Sequence, residues 1–128
     1  MRIIRFRGKD IQTGEWVKGD LIQRQGFYPA ILTAYLKVGG KVGYAESAVN
    51  QKTIGQFTGL YDKNKMEIYE GDILEFQGMQ EKIEVRFVHG VFVFLWNGDL
   101  DDEVPTNTPI HEWAEVIGNI HDNPELLK

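Results

Sequence analysis

The side chains that could do chemistry in this chain are carboxylates and histidines, and their spacing limits what each could do. Asp20 and Asp72 each follow a glycine, in two stretches that share the pattern Glu-x-x-x-Gly-Asp, Glu15 to Asp20 and Glu67 to Asp72. Two carboxylates held close together would serve acid/base chemistry or a metal ion, but nothing in the sequence brings these two together. A local reading suits them better. Glycine tolerates the positive φ at which a strand bends or bulges, and a following Asp fixes the bend by accepting nearby backbone N–H groups. The run Asp99-Leu100-Asp101-Asp102-Glu103 alternates oxygen donors at Asp99, Asp101 and Glu103 as a calcium loop does, but lacks the rest of that pattern. A solvated hairpin loop is the expectation there. His89, His111 and His121 share no metal-ligand spacing such as His-x-x-x-His. There is no phosphate-cradling glycine loop, no nucleophile elbow and no basic-aromatic recognition strand. The sequence therefore predicts no catalytic residue, no metal site and no cofactor.

Composition narrows the class further. At 128 residues the chain makes one domain or two very small units sharing a core. The absence of cysteine excludes disulfides, thiolate zinc sites and cysteine nucleophiles, and fits a reducing cytosol. The basic start, Arg2, Arg5 and Arg7, has no apolar stretch behind it and predicts no signal peptide. The longest apolar run, Val91 to Trp96, is six residues and too short to span a bilayer. A soluble, cytoplasmic protein is expected. The net charge of −5 disfavours direct nucleic-acid binding, which needs clustered Lys and Arg. Arg2, Arg5 and Arg7 are the only basic cluster, expected to solvate the first strand.

The elements that must position these residues read as short strands. Residues 2–7 alternate, with Ile4 and Phe6 on one side and Arg5 and Arg7 on the other. Gly8 to Gly14 is turn chemistry, and Glu15 to Gln23 returns with a kink at Gly19-Asp20. The second stretch, Phe57-Thr58-Gly59 to Ile73-Leu74, repeats this order with one residue more, expected in its turn. Residues 4–22 and 57–74 are thus expected to be similar bent hairpins. The middle is harder to read. Phe27 to Leu32 suits a strand that Pro29 confines to an edge or a strand start, Gly39-Gly40 marks a turn, and Ala45 to Gln51 reads as a short helical turn or a loop. Ile83, Val85 and Phe87 alternate with Glu84 and Arg86 as a half-buried strand. His89-Gly90 then turns into Val91–Trp96, which Asn97-Gly98 ends. Trp113 to Ile120 is a last strand broken at Gly118-Asn119, and Asp122-Asn123-Pro124 starts a one-turn helix.

The fold class expected is mainly β: an N-terminal β-hairpin region over 1–53, then a small closed barrel over 54–128, with one short C-terminal helical turn. Within it, Val91–Trp96 is apolar on both faces, so both must be covered. Burial inside the chain is one solution. A subunit or partner interface using Phe92, Phe94 and Trp96 is the other.

Residues 54–74, Ile-Gly-Gln-Phe-Thr-Gly-Leu-Tyr-Asp-Lys-Asn-Lys-Met-Glu-Ile-Tyr-Glu-Gly-Asp-Ile-Leu, resemble the central motif of the YopX family. Residues 115–127, Glu-Val-Ile-Gly-Asn-Ile-His-Asp-Asn-Pro-Glu-Leu-Leu, resemble that family's ending, and Ile4-Arg5-Phe6-Arg7-Gly8 its start. The motif positions carried over are Gly55, Gln56, Phe57, Thr58, Gly59, Asp62, Asn64, Tyr69, Gly71 and Asp72, with Gly118, Asn119 and Pro124, all expected to be structural. Where the family commonly has Asn-Gly-Lys, this chain has Asn64-Lys65-Met66. Because Lys resists positive φ, Asn64 is expected to take the left-handed position. The resemblance implies a phage or prophage protein in a bacterial host's cytoplasm, with a barrel of the Src-homology-3 type. It implies no established catalytic residue, cofactor or substrate.

Together these readings favour a non-enzymatic module that binds protein, a homo-oligomer first and another protein partner second. The alternatives are a nucleic-acid-associated phage regulatory or replication accessory factor using Arg2, Arg5 and Arg7, and a metal-dependent enzyme using residues 99–103.

Overall fold

A computed structural model describes residues 2–127. The described residues form eleven antiparallel strands and short 3-10 turns, with no α-helix among them. The strands are β1 (Phe6–Lys9), β2 (Trp16–Ile22), β3 (Ala30–Val38), β4 (Lys41–Ala48), β5 (Gly55–Tyr61) and β6 (Glu67–Tyr69), then β7 (Asp72–Phe76), β8 (Lys82–Val88), β9 (Val91–Trp96), β10 (Glu103–Pro105) and β11 (Ala114–Asn119). One sheet has the order β4-β3-β2-β1-β5-β6 and the other β10-β9-β8-β7-β11. The chain divides into two compact units between Phe57 and Thr58, within β5.

In the first unit, β1 pairs with Trp16–Gly19 of β2, and Asp20–Ile22 of the same strand pairs with Ala30–Leu32 of β3. Gly19 stands at this change of partner because the Leu32 carbonyl passes so close that a Cβ on residue 19 would lie 1.9 Å from its oxygen. The middle of the chain, expected to hold a partial strand and a loop, is instead the longest hairpin of the molecule. Strand β3 begins immediately after Pro29, as a proline-limited strand must. It turns at Gly39-Gly40, whose φ angles of 57° and 79° build a two-residue hairpin turn of the twist-compatible kind. It returns as β4, paired from Val38↔Lys41 to Ala30↔Ala48 with one register shift between Leu32 and Ala34. Ala45–Ala48, expected to be a helical turn or loop, belongs to β4, and the 3-10 turn follows at Gln51–Thr53.

The second unit is built on β7-β8-β9, with β10 on one side and β11 on the other. Its core joins Ile68, Leu74, Ile83, Val85, Phe94 and Ala114. The expected closed barrel is not formed: β10 and β11 end the five-stranded sheet on its two sides, and no pairing between described residues joins them. Strand β10 is three residues long and ends in Pro105, and a bulge interrupts β11 between Val116 and Gly118, so neither edge offers a long regular ladder to close. The alternation expected for β8 also fails at one place. Glu84 is buried, 2% exposed, and held by a bidentate pair to Arg86 at 2.7 Å and 2.7 Å. That bond to Glu84 raises the guanidinium's pKa above its ordinary value.

Candidate functional site

The motif residues are used to hold backbone. Asp62 is 4% exposed; its Oδ1 accepts the N–H groups of Asn64 (2.8 Å) and Met66 (2.9 Å), and its Oδ2 that of Val116 (2.9 Å). One buried carboxylate thereby closes the turn and ties it to β11. Asn64 donates its side-chain amide to Glu115. The left-handed position belongs to Lys65, at φ 67°, and not to Asn64 as expected. The Asp62 bonds to residues 64 and 66 over-determine the turn, so the residue between them takes the strained conformation. Thr58 Oγ1 donates to the Ile68 carbonyl at 2.8 Å, and Gly59 follows at φ 85°. Asp72 is 2% exposed and accepts the Tyr69 N–H at 2.8 Å. Gly71 donates to the Val85 carbonyl (2.7 Å) and accepts from Ile120 (2.9 Å). Gly55, Gln56 and Phe57 open β5, with Gly55 and Gln56 opposite Arg7 and Phe6 of β1.

The C-terminal motif is another backbone clasp. Asn119 Oδ1 accepts the N–H groups of His121 (3.0 Å) and Asp122 (2.9 Å), while Asn123 donates its N–H to the Asn119 carbonyl (2.8 Å). Asn123 Oδ1 comes so close to residue 118 that a Cβ there would lie 2.5 Å from it, so Gly118 is sterically required. Pro124 heads the last 3-10 turn.

The candidates for catalysis or metal binding stay apart. Among the described residues no three His, Asp or Glu side chains gather as a metal site would need. In the acidic run, Asp99 caps a 3-10 turn by accepting the Asp101 N–H at 2.9 Å, and Asp101, Asp102 and Glu103 are exposed. His111 Nδ1 lies 2.9 Å from the Tyr61 carbonyl oxygen, and His89 occupies the β8–β9 turn at φ 51°. The basic face is also altered. Arg7 is buried, 8% exposed, with its guanidinium 4.6 Å from the Trp16 ring centroid, while Ile4 on the side expected to face inward is exposed. A strand whose inner face meets an aromatic ring accommodates a guanidinium by cation–π contact, so Arg2, Arg5 and Arg7 do not form one solvent-exposed face.

The expected interface strand is also revised. Phe94 is fully buried in the core of the second unit and cannot serve as an interface residue. Trp96 is half-buried and stacks on Phe76 at 5.9 Å, and Phe92 meets the exposed Phe87 edge-on at 5.1 Å. Burial of Val93 and Leu95 as well covers both faces of this strand at its centre.

A continuous exposed apolar surface lies elsewhere, on the β3–β4 arm. Every residue from 33 to 46 is exposed. Tyr35, Leu36, Val38, Val42 and Tyr44 are each more than half exposed, and Phe27 and Tyr28 stand at the arm's base at 75% and 66%. Tyr35 lies opposite Tyr44, with Lys37 opposite Val42 on the same face. At the base, Arg24 grips Glu46 with two bonds of 2.9 Å. The guanidinium holds the Glu46 carboxyl below its usual range, and the carboxylate raises the Arg24 pKa. A shallow groove of about 210 Å³ beside it is lined by Gln23, Arg24, Phe27, Pro29, Gln51 and Ile54. Sequence reasoning missed this arm, although two runs joined by Gly-Gly are a hairpin signal.

The family model described as YopX protein matches residues 5–128. A crystal structure of protein EF1440 from Enterococcus faecalis is similar to this chain over all of both chains, at 28% identity and a TM-score of 0.64. No match is found among curated proteins. No helix of the described residues is long and apolar enough to cross a membrane.

Proposed function

The chain belongs to the YopX family, and on that premise we propose that it is a non-enzymatic β module that binds protein, a second copy of itself first, in the cytoplasm of a bacterium carrying the phage or prophage that encodes it. The observation that carries this reading is the arm: residues 33–46 are exposed and rich in Tyr, Leu and Val. Soluble monomers rarely leave an apolar surface of this kind bare, because covering it is worth about 25 cal/mol per Å².

Two further points support it. The second unit runs β7-β8-β9-β10, then a 3-10 turn at Pro109–Glu112, then β11 back onto β7. We read that order as an opened relative of the Src-homology-3 type of barrel, an architecture that serves binding. The buried carboxylates Asp62 and Asp72 are spent on backbone N–H groups, and His111 Nδ1 lies against the Tyr61 carbonyl.

Sedimentation velocity over a wide concentration range tests the reading. A concentration-dependent rise in mass is expected, reduced in a Tyr35→Ser/Val42→Ser double variant that keeps its circular dichroism spectrum, since both residues are exposed. A protein that stays monomeric at millimolar concentration would remove self-association.

A further inference from the structure

Resting on that reading, we propose how two copies meet: β4 of one copy pairs antiparallel with β4 of the other, edge to edge, about a twofold axis at Tyr44. Strand β4 ends its sheet, and it lacks two of the devices that protect an edge, a proline and a bulge, while its charges Lys41 and Glu46 stand near its two ends. It contains no proline, and the register shift in the β3–β4 ladder, between Leu32 and Ala34, places the extra residue, Thr33, on β3 and leaves β4 regular.

The free part of the edge has definite limits. It starts at Lys41, after the Gly39-Gly40 turn, and stops before Ala48, whose carbonyl accepts the Ile11 N–H at 3.0 Å, while Val49 bridges Asp10. The free edge is therefore 41–47, and its midpoint is Tyr44.

Backbone geometry agrees with this register. In a two-residue hairpin the residues flanking the turn, Val38 and Lys41, bond to each other, and bonding alternates from there. Lys41, Gly43 and Ala45 thus direct their N–H and C=O groups toward β3, and Val42, Tyr44 and Glu46 direct theirs outward. Ala48, two residues further, is also outward, in accord with its bond to Ile11. An axis at Tyr44 sets the outward groups of Val42 against those of Glu46 in the other copy and Tyr44 against itself, satisfying about six backbone bonds. The side chains then form rows. Because Tyr35 lies opposite Tyr44 within each arm, four tyrosines line up across the ribbon on one face, where cross-strand aromatic pairs stabilise a sheet. The arm's cations Lys37 and Lys41 lie at its tip and its anion Glu46 near its base. Antiparallel docking keeps the two cationic tips apart, whereas parallel docking would stack them.

The chain has no cysteine, so single introduced thiols report the register cleanly. Opposed residues of a bonded antiparallel pair have Cα atoms about 5.5 Å apart, within disulfide reach. Oxidised Tyr44→Cys protein should run as a covalent dimer. Val42→Cys should not, its two copies lying about 14 Å apart at 3.4 Å per residue. Val42→Pro removes only an outward N–H, so it should keep the monomer's circular dichroism spectrum while weakening self-association about tenfold or more. If the wild type self-associates but Tyr44→Cys does not cross-link, or Val42→Pro associates as the wild type does, edge pairing is wrong and self-association stands. If the wild type is monomeric throughout, both fall.

Discussion

Residues 16–22 and 67–76 carry the same Gly-Asp pair at the point where the chain changes strand partner, and each holds that point with different atoms. In the first, β2 runs unbroken while its neighbour changes from β1 to β3. Gly19 makes this possible by leaving room for the Leu32 carbonyl, and Asp20 is exposed. In the second, the chain breaks into β6 and β7, and the break is fixed by the buried Asp72 accepting the Tyr69 N–H. The turns before these pairs differ in the same sense. Asp10 and Asp62 both lie five residues before the shared Glu, at Glu15 and Glu67, so the additional residue of the second copy falls between Gly59 and Asp62, before the turn and not within it. Asp10 Oδ1 accepts the N–H groups of Gln12 and Thr13 in its own turn, and its backbone bridges Val49, whereas the Asp62 carboxylate itself reaches β11. A repeat of residue types thus marks where the chain changes partner, while the neighbours decide whether glycine or the carboxylate carries the load.

The comparison predicts unequal losses. The largest are expected for Gly19→Ala and Asp62→Ala. The first drives a Cβ into a backbone carbonyl, and the second removes the buried carboxylate that accepts three N–H groups and ties an exposed turn to β11. Each should cost about 3 kcal/mol in denaturant unfolding. A loss under about 1 kcal/mol for Gly19→Ala would mean that β2 and β3 separate at no cost there, which would contradict the close approach. Next, Asp72→Ala should cost about 2 kcal/mol by leaving the Tyr69 N–H buried without its acceptor. Asp20→Ala should stay within about 0.5 kcal/mol, as exposed positions do. Equal costs at the two positions would show the two Gly-Asp pairs to be equivalent after all.

How much of this was legible follows from where periodicity survives. Strands buried on both faces over part of their length, such as β7 and β9, announce themselves, and so do turns with an obligate chemistry such as His89-Gly90 and Gly39-Gly40. The arm did not, because a hairpin exposed on both faces has no inner side to enforce alternation: Tyr35-Leu36-Lys37-Val38 mixes polar and apolar without period. Glu84 and Arg7 misled in the opposite way, since a charged residue on a strand reads as outward until the guanidinium or ring that receives it is known. Barrel closure was illegible for a different reason. It depends on pairing between strands distant in sequence, and no local pattern reports whether β10 and β11 meet. Asp62 and Asp72, in contrast, were readable as backbone holders from their place in a turn and beside a glycine, although only tertiary contacts separate Asp72 from the exposed Asp20.

Lys65 offers a smaller effect in the opposite direction. It sits at φ 67° in the turn that Asp62 closes, where an L side chain costs about 1 kcal/mol that glycine avoids. Lys65→Gly should therefore stabilise the protein by about 0.5 kcal/mol once glycine's greater unfolded-state entropy is subtracted. The same test fails to apply to the first copy, whose left-handed turn position is already Gly14, at φ 73°. Destabilisation by Lys65→Gly would mean that the lysine side chain contributes contacts that outweigh its backbone strain.

The smallest effect concerns Asp10 and pH. The N–H groups of Gln12 and then Thr13 hold its carboxyl below the ordinary value. A lowered native pKa means that the folded state favours the charged form. The stabilisation is complete above the unfolded carboxyl's pKa and is lost as the pH falls through the lower native value. Nuclear magnetic resonance titration of the Gln12 and Thr13 amides should then show a shared midpoint below the ordinary Asp value of about 3.9. In the Asp10→Asn variant those two shifts should not titrate, although the side-chain carbonyl still accepts. A wild-type midpoint at the ordinary value would mean that the bonds at 2.7 Å and 3.0 Å are not maintained in solution. The first turn would then be set by its backbone and Gly14 alone, which widens the contrast with Asp62 from a difference of reach to a difference of kind.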